Sequence, residues 1–136
     1  MANEAIIVEL LGNKGDPIRY TVADGVAIPK GSLMILVSPR TAEIHAVVDT
    51  PFIGIAAEEK VINDGQVSIA VITNCIAQLV IKTGGSAATI GDGVSLSSEV
   101  NAVELSASTD NEKGWEVGKA MEEIAAAATG MIRIHR

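Results

Sequence analysis

Cysteine and aromatic residues are almost missing from the sequence. Cys75 is the single cysteine, so the chain has no internal disulfide and no cysteine-based zinc site. Tyr20, Phe52 and Trp115 are the whole aromatic set. Proteins that bind single-stranded nucleic acid stack bases on several aromatic rings, and ligand pockets commonly have aromatic walls. The composition therefore disfavours both functions.

Positive charge is also scarce. The chain has 10 Lys and Arg against 17 Asp and Glu, which gives a net charge of -7. An acidic surface repels phosphate backbones, so we expect no nucleic-acid partner. No apolar run approaches the roughly 20 residues of a membrane span, and the first residues lack the basic start of a signal peptide. We expect no membrane partner and synthesis in a cytoplasm.

The residues that are plentiful favour strands. The 136 residues make one domain's worth of chain, 48% of them hydrophobic, and Ile and Val together far outnumber Leu. Turn residues separate short β-branched runs along the whole length, which predicts an all-β fold with minor helix, a sandwich or barrel. The predicted strands are residues 6–11, 18–22, 33–37, 43–48, 53–57, 67–73, 76–82, 94–96, 103–106, 116–120 and 131–135. The nearly continuous apolar run over residues 76–81 predicts burial on both faces.

One segment has conflicting signals. Residues 121–128 are rich in alanine and other strong helix formers, so propensity alone predicts a short helix there. An apparent repeat within the chain instead matches this segment to the polar, turn-like residues 60–64. Our interpretation is a strand through Ala120, followed by a short helical turn.

The chain resembles itself weakly, which predicts an internal duplication of a three-stranded unit. Residues 54–59 match residues 118–123 in glycine, alanine and paired glutamates. Residues 65–69 match 130–134, and residues 28–33 resemble 90–95, with Gly31 opposite Gly93. The glycine-rich residues 84–91 are then predicted to connect the two halves. The alternative is chance agreement of short patterns in an alanine-rich chain.

Two carboxylate pairs, Glu58 with Glu59 and Glu122 with Glu123, are candidates for acid–base chemistry. Glycoside hydrolysis needs two carboxyl groups that face each other across the substrate. Adjacent residues of a strand point to opposite faces, so neither pair can act together within a strand. We interpret them as solvated strand ends. A hydrolase that uses Glu58 or Glu122 stays open as an alternative.

The remaining motifs are incomplete for catalysis. The run from Asp49 to Pro51 is similar to the Asp-Thr-Gly of aspartic proteases, but proline replaces the glycine. Glu43 and His45 alone make an incomplete metal site. No local signature makes Cys75 a nucleophile, so it is interpreted as a small buried hydrophobe. The sequence therefore predicts no catalytic residue, no cofactor, no metal and no enzyme activity.

Three segments together carry a family resemblance. Residues 17–25, 28–34 and 52–60 are similar to tailed-phage capsid decoration proteins, also called cement proteins, of the phage lambda head decoration type. The resemblance extends to residues 118–122 and 131–134, which look like the last strands of that family. The polar and acidic residues 97–113 depart from the family's pattern.

The resemblance implies a small β-tulip or β-barrel domain without an active site. It implies a structural virion protein, made in the host cytoplasm, that binds as homotrimers to the outer surface of an icosahedral capsid and stabilises it. The partners would be the major capsid protein and other copies of this chain. Residues 1–15 would be an N-terminal arm or strand, and residues 16–136 a single β-rich decoration domain. The candidate capsid-contacting residues are Ile6, Ile7, Val8, Leu10 and Leu11.

A second function class remains open at this point. A compact acidic β-barrel also suits a small-molecule or glycan-binding module, although the scarcity of aromatic residues argues against it. An oligomeric mass, or binding to a viral shell, distinguishes the structural role from this alternative.

Overall fold

The computed structural model describes residues 3–11, 17–107 and 110–135. It confirms the all-β prediction: the regular elements of the described chain are strands and one turn of helix, α1 (Asp110–Lys113). The strands are β1 (Ile6–Leu10), β2 (Ile18–Thr21), β3 (Leu33–Ser38), β4 (Thr41–Ile44), β5 (Phe52–Ala56), β6 (Ser68–Ile72), β7 (Asn74–Ile81), β8 (Gly93–Leu96), β9 (Ala102–Leu105), β10 (Glu116–Ala120) and β11 (Thr129–His135).

The strands close into two small barrels, which confirms the barrel-like fold. Strands β2 to β6 form the first, with the order β2-β4-β3-β5-β6. Strands β7 to β11 form the second, with the order β7-β11-β10-β8-β9 and a parallel pairing of β7 with β9 that closes it. We call these unit one and unit two. β1 adds to the outside of unit two, next to β7.

The two units have the same topology, as the predicted duplication requires. In each unit the first strand pairs antiparallel with the fifth and parallel with the third. The second strand pairs with the third and fourth, and the fourth with the fifth. The range expected to form one decoration domain thus holds two copies of one five-stranded barrel.

Hydrogen bonds fix which residues correspond. The amide of Gly31 donates to the carbonyl of Ala56 at 2.9 Å, and the amide of Gly91 donates to that of Ala120 at the same distance. The predicted match of residues 54–59 with 118–123 therefore agrees with the structure. Gly31 corresponds to Gly91, not to Gly93, so the predicted match of residues 28–33 with 90–95 is out of register.

The predicted match of residues 65–69 with 130–134 is also out of register. Ala57 donates to the carbonyl of Ala70 at 2.8 Å, and Met121 donates to that of Met131 at 3.0 Å. Ala70 therefore corresponds to Met131. Short alternating strands agree with each other at several offsets, because their side-chain period is only two residues. The pairing partner across the barrel decides the register.

The predicted connection and the predicted helical turn are both wrong. Residues 84–91 lie inside unit two, between β7 and β8, and the units join at Thr73. The strand through Ala120 is correct, but Ile124 then bridges Ala88 and no helix follows. Ala127 takes a positive φ of 60° in a tight turn. Burial of Ile124 overrides the helix propensity of the surrounding alanines.

Two further strand predictions need correction. Residues 74–81 alternate between half-buried and buried positions, so β7 is not buried on both faces. Its buried side consists of Cys75, Ala77, Leu79 and Ile81. The fourth strand ends at Ile44, well before residue 48, because the chain turns into a loop where Asp49 has a φ of 61°.

The units share a core. One apolar cluster fills unit one and includes Met34, Ile69 and Val71. The other fills unit two and continues into the contact with unit one through Leu33, Phe52 and Ile72, among others. Continuous burial across the contact makes the two barrels one packed body. No helix of the described residues is long and apolar enough to cross a bilayer.

Candidate interaction surface

β1 lies at the edge of the six-stranded sheet of the described residues and carries four of the five predicted contact residues. It pairs antiparallel with β7, with Ile7 opposite Ala77 and Leu10 opposite Cys75. The register shifts between Ile7 and Glu9. In the described part of the chain, no strand pairs with its other edge. An edge of this kind presents backbone groups that a strand of another chain can pair with.

Three apolar side chains of β1 are exposed to solvent. Ile6 and Leu10 are each 60% exposed, and Val8 is 48% exposed. Ile7 and Leu11 are half-buried. The structure thus places all five predicted residues on one short edge segment, three of them exposed. Apolar side chains concentrated on an edge strand are a marker of interaction surfaces.

An apolar groove lies between β1 and unit one. Its volume is about 580 Å³, and its lining residues are Ala5, Ile6, Ile7, Leu10, Lys30, Gly31, Ala57 and Ile72. The segment before β1 holds one side in place, because the amide of Ala5 donates to the carbonyl of Gly31 at 2.6 Å. Ala5 itself is buried against the shared core.

The N-terminal region is therefore docked along the chain's own body. The prediction described residues 1–15 as an arm or strand, and the strand part is β1. Residues 1, 2 and 12–15 of that range lie outside the described residues. The expected contact of Ile6, Ile7, Val8, Leu10 and Leu11 with a capsid protein stays a prediction.

The carboxylate pairs occupy equivalent positions at strand ends. Glu58 accepts hydrogen bonds from the amide of Ala70 at 3.0 Å and from Arg19 at 3.2 Å. Glu122 accepts one from the amide of Met131 at 3.2 Å. The first glutamate of each pair thus ties its strand end to the neighbouring strand.

His45 is buried between the two units. Its Nε2–H donates to the carbonyl of Ser97 at 2.6 Å, and its buried Nδ1 has no hydrogen-bond partner among the described residues. Burial lowers the pKa of His45 from its ordinary value, since a charged imidazole would lose hydration. Glu43, its suggested co-ligand, lies two positions earlier on β4. Within the described ranges, no three metal-ligating side chains of His, Cys, Asp or Glu come together.

Lys60 is the buried charge that sequence reasoning missed. Its side chain is fully buried, and its Nζ donates to the carbonyls of Asp24 at 2.6 Å and Val61 at 3.1 Å. The carboxylates of Asp24 and Asp64 lie 3.5 Å and 3.4 Å from the same nitrogen. The pKa of Asp64 is lowered, first by the hydrogen bond from the amide of Gln66. The spacing of Lys60 and Asp64, four residues apart, was the available signal.

The residue of unit two that corresponds to Lys60 is apolar. Lys60 forms an isolated β-bridge with Ile28, and Ile124 forms the equivalent β-bridge with Ala88 in the second barrel. Ile124 is also fully buried. One position of the duplicated fold thus carries a charge cluster in unit one and simple apolar packing in unit two.

The chain matches no model of a known protein family and no curated protein sequence.

Proposed function

We propose that this chain is a structural virion protein that decorates and stabilises an icosahedral capsid, and that it has no enzymatic role. The observation that carries the proposal is β1, a strand with three exposed apolar side chains and an edge open in the described structure. An adhesive role needs such a surface on a stable body. The family resemblance of the sequence supports the same role.

The proposed partner of β1 is the major capsid protein. A strand of that protein would add to the open edge of β1 through backbone hydrogen bonds, with Ile6, Val8 and Leu10 supplying apolar contact. Each contact would be modest. Many copies on one shell, acting together, would restrain neighbouring capsid subunits through avidity.

The proposed assembly is a homotrimer at the local three-fold axes of the shell, on its outer surface. Further apolar side chains are exposed away from β1, among them Val37, Val47 and Val48. Association of copies would cover part of this surface.

Electron cryomicroscopy of expanded shells of the parent virus, mixed with the purified chain, tests the proposal. We expect density for the chain at the three-fold positions. Ile6→Lys combined with Leu10→Lys should strongly reduce its occupancy. Val61→Lys combined with Val67→Lys is the matched control, because both valines are 58% exposed but lie in unit one, away from β1. Absence of the chain from the three-fold positions, or equal loss with the control, contradicts the proposal.

The groove beside β1 favours one alternative, a small-molecule or glycan-binding module. Its volume of about 580 Å³ falls within the range of small-molecule sites, and Lys30 supplies a charged group at its wall. A glycan or metabolite that raises the melting temperature, and loses this effect when Ala57→Trp fills the groove, would favour the alternative. Shell binding by the Ala57→Trp variant would favour decoration.

A further inference from the structure

The two units differ at one equivalent surface, which lies around Gly31 in unit one. In unit one the N-terminal segment lies directly on Gly31. A side chain at Gly31 would collide with the backbone of Ala5, whose amide donates to the Gly31 carbonyl. Gly31 has a φ of 91°, which disfavours side chains in any case. Unit one is therefore completed by an extended segment from outside its own barrel.

The same surface exists in unit two. Gly91 takes the same conformation, with a φ of 87°, and makes the same hydrogen bond to β10 that Gly31 makes to β5. The groove wall of unit one corresponds position by position to this surface: Lys30 to Ile90, Gly31 to Gly91, Ala57 to Met121 and Ile72 to Arg133. We call Ile90, Gly91, Met121 and Arg133 the unit-two face.

The unit-two face is open in the described structure. A Cβ built on Gly91 meets no heavy atom of the described residues within 4 Å. Ile90 is 70% exposed and Met121 is 44% exposed. Ile90 is the most exposed large apolar residue of the described chain. The duplicated fold thus offers one covered and one uncovered version of the same docking surface.

The unit-two face also differs in charge from the equivalent, covered surface of unit one. In unit one Ile55 pairs with Ile72, and both are buried. In unit two the corresponding pair is Lys119 and Arg133, and both are exposed. These two cations lie side by side on a protein whose net charge is -7. Nη2 of Arg133 also donates to Oδ1 of Asn74 at 3.2 Å. A carboxylate of an occupant at this place would gain from the positive charge of both side chains.

We propose that the unit-two face binds an extended segment of a partner protein, as unit one binds the segment before β1. A small residue of that segment lies over Gly91, and its amide donates to the Gly91 carbonyl. Apolar side chains contact Ile90 and Met121, and a carboxylate faces Lys119 and Arg133. This inference comes from the duplication and stands without the proposed capsid role.

One backbone hydrogen bond and two apolar contacts give weak binding for an isolated peptide. Ordering of a free peptide opposes these gains, so we expect a dissociation constant on the order of 1 mM. Binding of this strength is measurable by NMR, and it becomes effective when the partner is repeated on a surface.

Titration of the full-length ¹⁵N-labelled chain with two synthetic peptides tests the proposal. The first peptide has the sequence of residues 3–10, which covers the equivalent surface of unit one. The second carries Ile7→Glu, which adds a carboxylate that can face Lys119 and Arg133. We expect amide shifts centred on Ile90, Gly91 and Met121. The second peptide should bind more tightly, and salt should weaken it more.

Variants of the full chain locate the site. Met121→Glu removes the apolar contact and adds repulsion, so affinity for the second peptide should fall about tenfold, which is about 1.4 kcal/mol. Val61→Glu is the matched control, since it adds the same charge at an exposed valine of unit one and should leave affinity unchanged.

Three results would overturn the inference. The first is no shift at Gly91 with either peptide at millimolar concentration. The second is a shift at Gly31 alone, which would mean that the peptide only displaces the chain's own segment. The third is concentration-dependent self-association that Met121→Glu abolishes, which would make a second copy the occupant of the unit-two face.

Discussion

Replacement of Lys60 by methionine tests how the buried charge cluster stabilises unit one. Methionine keeps the length and the apolar stem of lysine but removes the ammonium group. Two backbone carbonyls, those of Asp24 and Val61, then lose their donor, and two carboxylates lose their cation. Asp24 and Asp64 are partly exposed, so water can solvate their carboxylates after the change.

The loss of stability follows from these contacts. An unsatisfied buried polar group costs about 1 to 3 kcal/mol, and breaking a fully buried ion pair costs about 3 to 5 kcal/mol. Because the carboxylates keep access to water, the lower range applies. We expect Lys60→Met to lower the free energy of unfolding by about 2 kcal/mol, which is roughly 6 to 10 °C in melting temperature.

Urea unfolding at pH 7, followed by the fluorescence of Trp115, measures the change. The matched variant is Ile124→Lys, which places the charge at the corresponding position of unit two. The turn after Ile124 is built of alanines and offers no carboxylate, so this variant should lose about 3 to 5 kcal/mol. If Lys60→Met were as stable as the unchanged chain, the buried ammonium would contribute nothing and the reasoning would fail.

Two further predictions concern His45 and the glycines of the strand contacts. Because burial lowers the pKa of His45, the unfolded chain binds its proton more readily, so stability is complete above the ordinary value of 6.5 and falls as the pH drops below it. Between pH 7.5 and 5.5 the free energy of unfolding should fall by at most about 1.4 kcal/mol per pH unit, and His45→Gln should remove this dependence. Gly118→Ala should cost at least about 2 kcal/mol in urea unfolding, since its Cβ would strike the carbonyl of Arg133. A Cβ at Gly65 would meet open space, so Gly65→Ala should cost only about 1 kcal/mol, which its positive φ imposes on alanine. If Gly118→Ala and Gly65→Ala lost equal stability, the steric argument would be refuted.

Local chemistry determined the strands. β-branched runs between glycine, proline and asparagine turns predicted eleven strands, and the described residues form eleven. Strand β10 agrees to the residue, and most boundaries differ by one or two positions. The apolar character of residues 6–11 was also visible, so the sequence identified β1 as a candidate contact segment. Strand propensity and turn formation depend on near neighbours, which is why one sequence suffices for them.

The repeat shows where sequence reasoning stops. The match of Gly54 with Gly118 was readable because both glycines meet the carbonyl of a neighbouring strand at close range, and no other residue fits there. The matches of residues 28–33 with 90–95 and of 65–69 with 130–134 were out of register. An alternating strand resembles another at several offsets, so the residue types alone do not select the correct one. Only pairing across the barrel fixed Gly31 opposite Gly91 and Ala70 opposite Met131.

The tertiary structure alone decided which of the equivalent surfaces are covered and which stay open. β1 lies on β7 and the segment before β1 covers Gly31, while Gly91 stays open in the described structure, although the two glycines make the same hydrogen bond. Lys60 is buried and Ile124 shares its position, and an alanine-rich segment with helix propensity forms a turn because Ile124 must reach the core. Each of these outcomes depends on residues far apart in the chain. Propensity acts on neighbours in sequence, whereas burial and strand pairing act between elements that meet only in the folded protein.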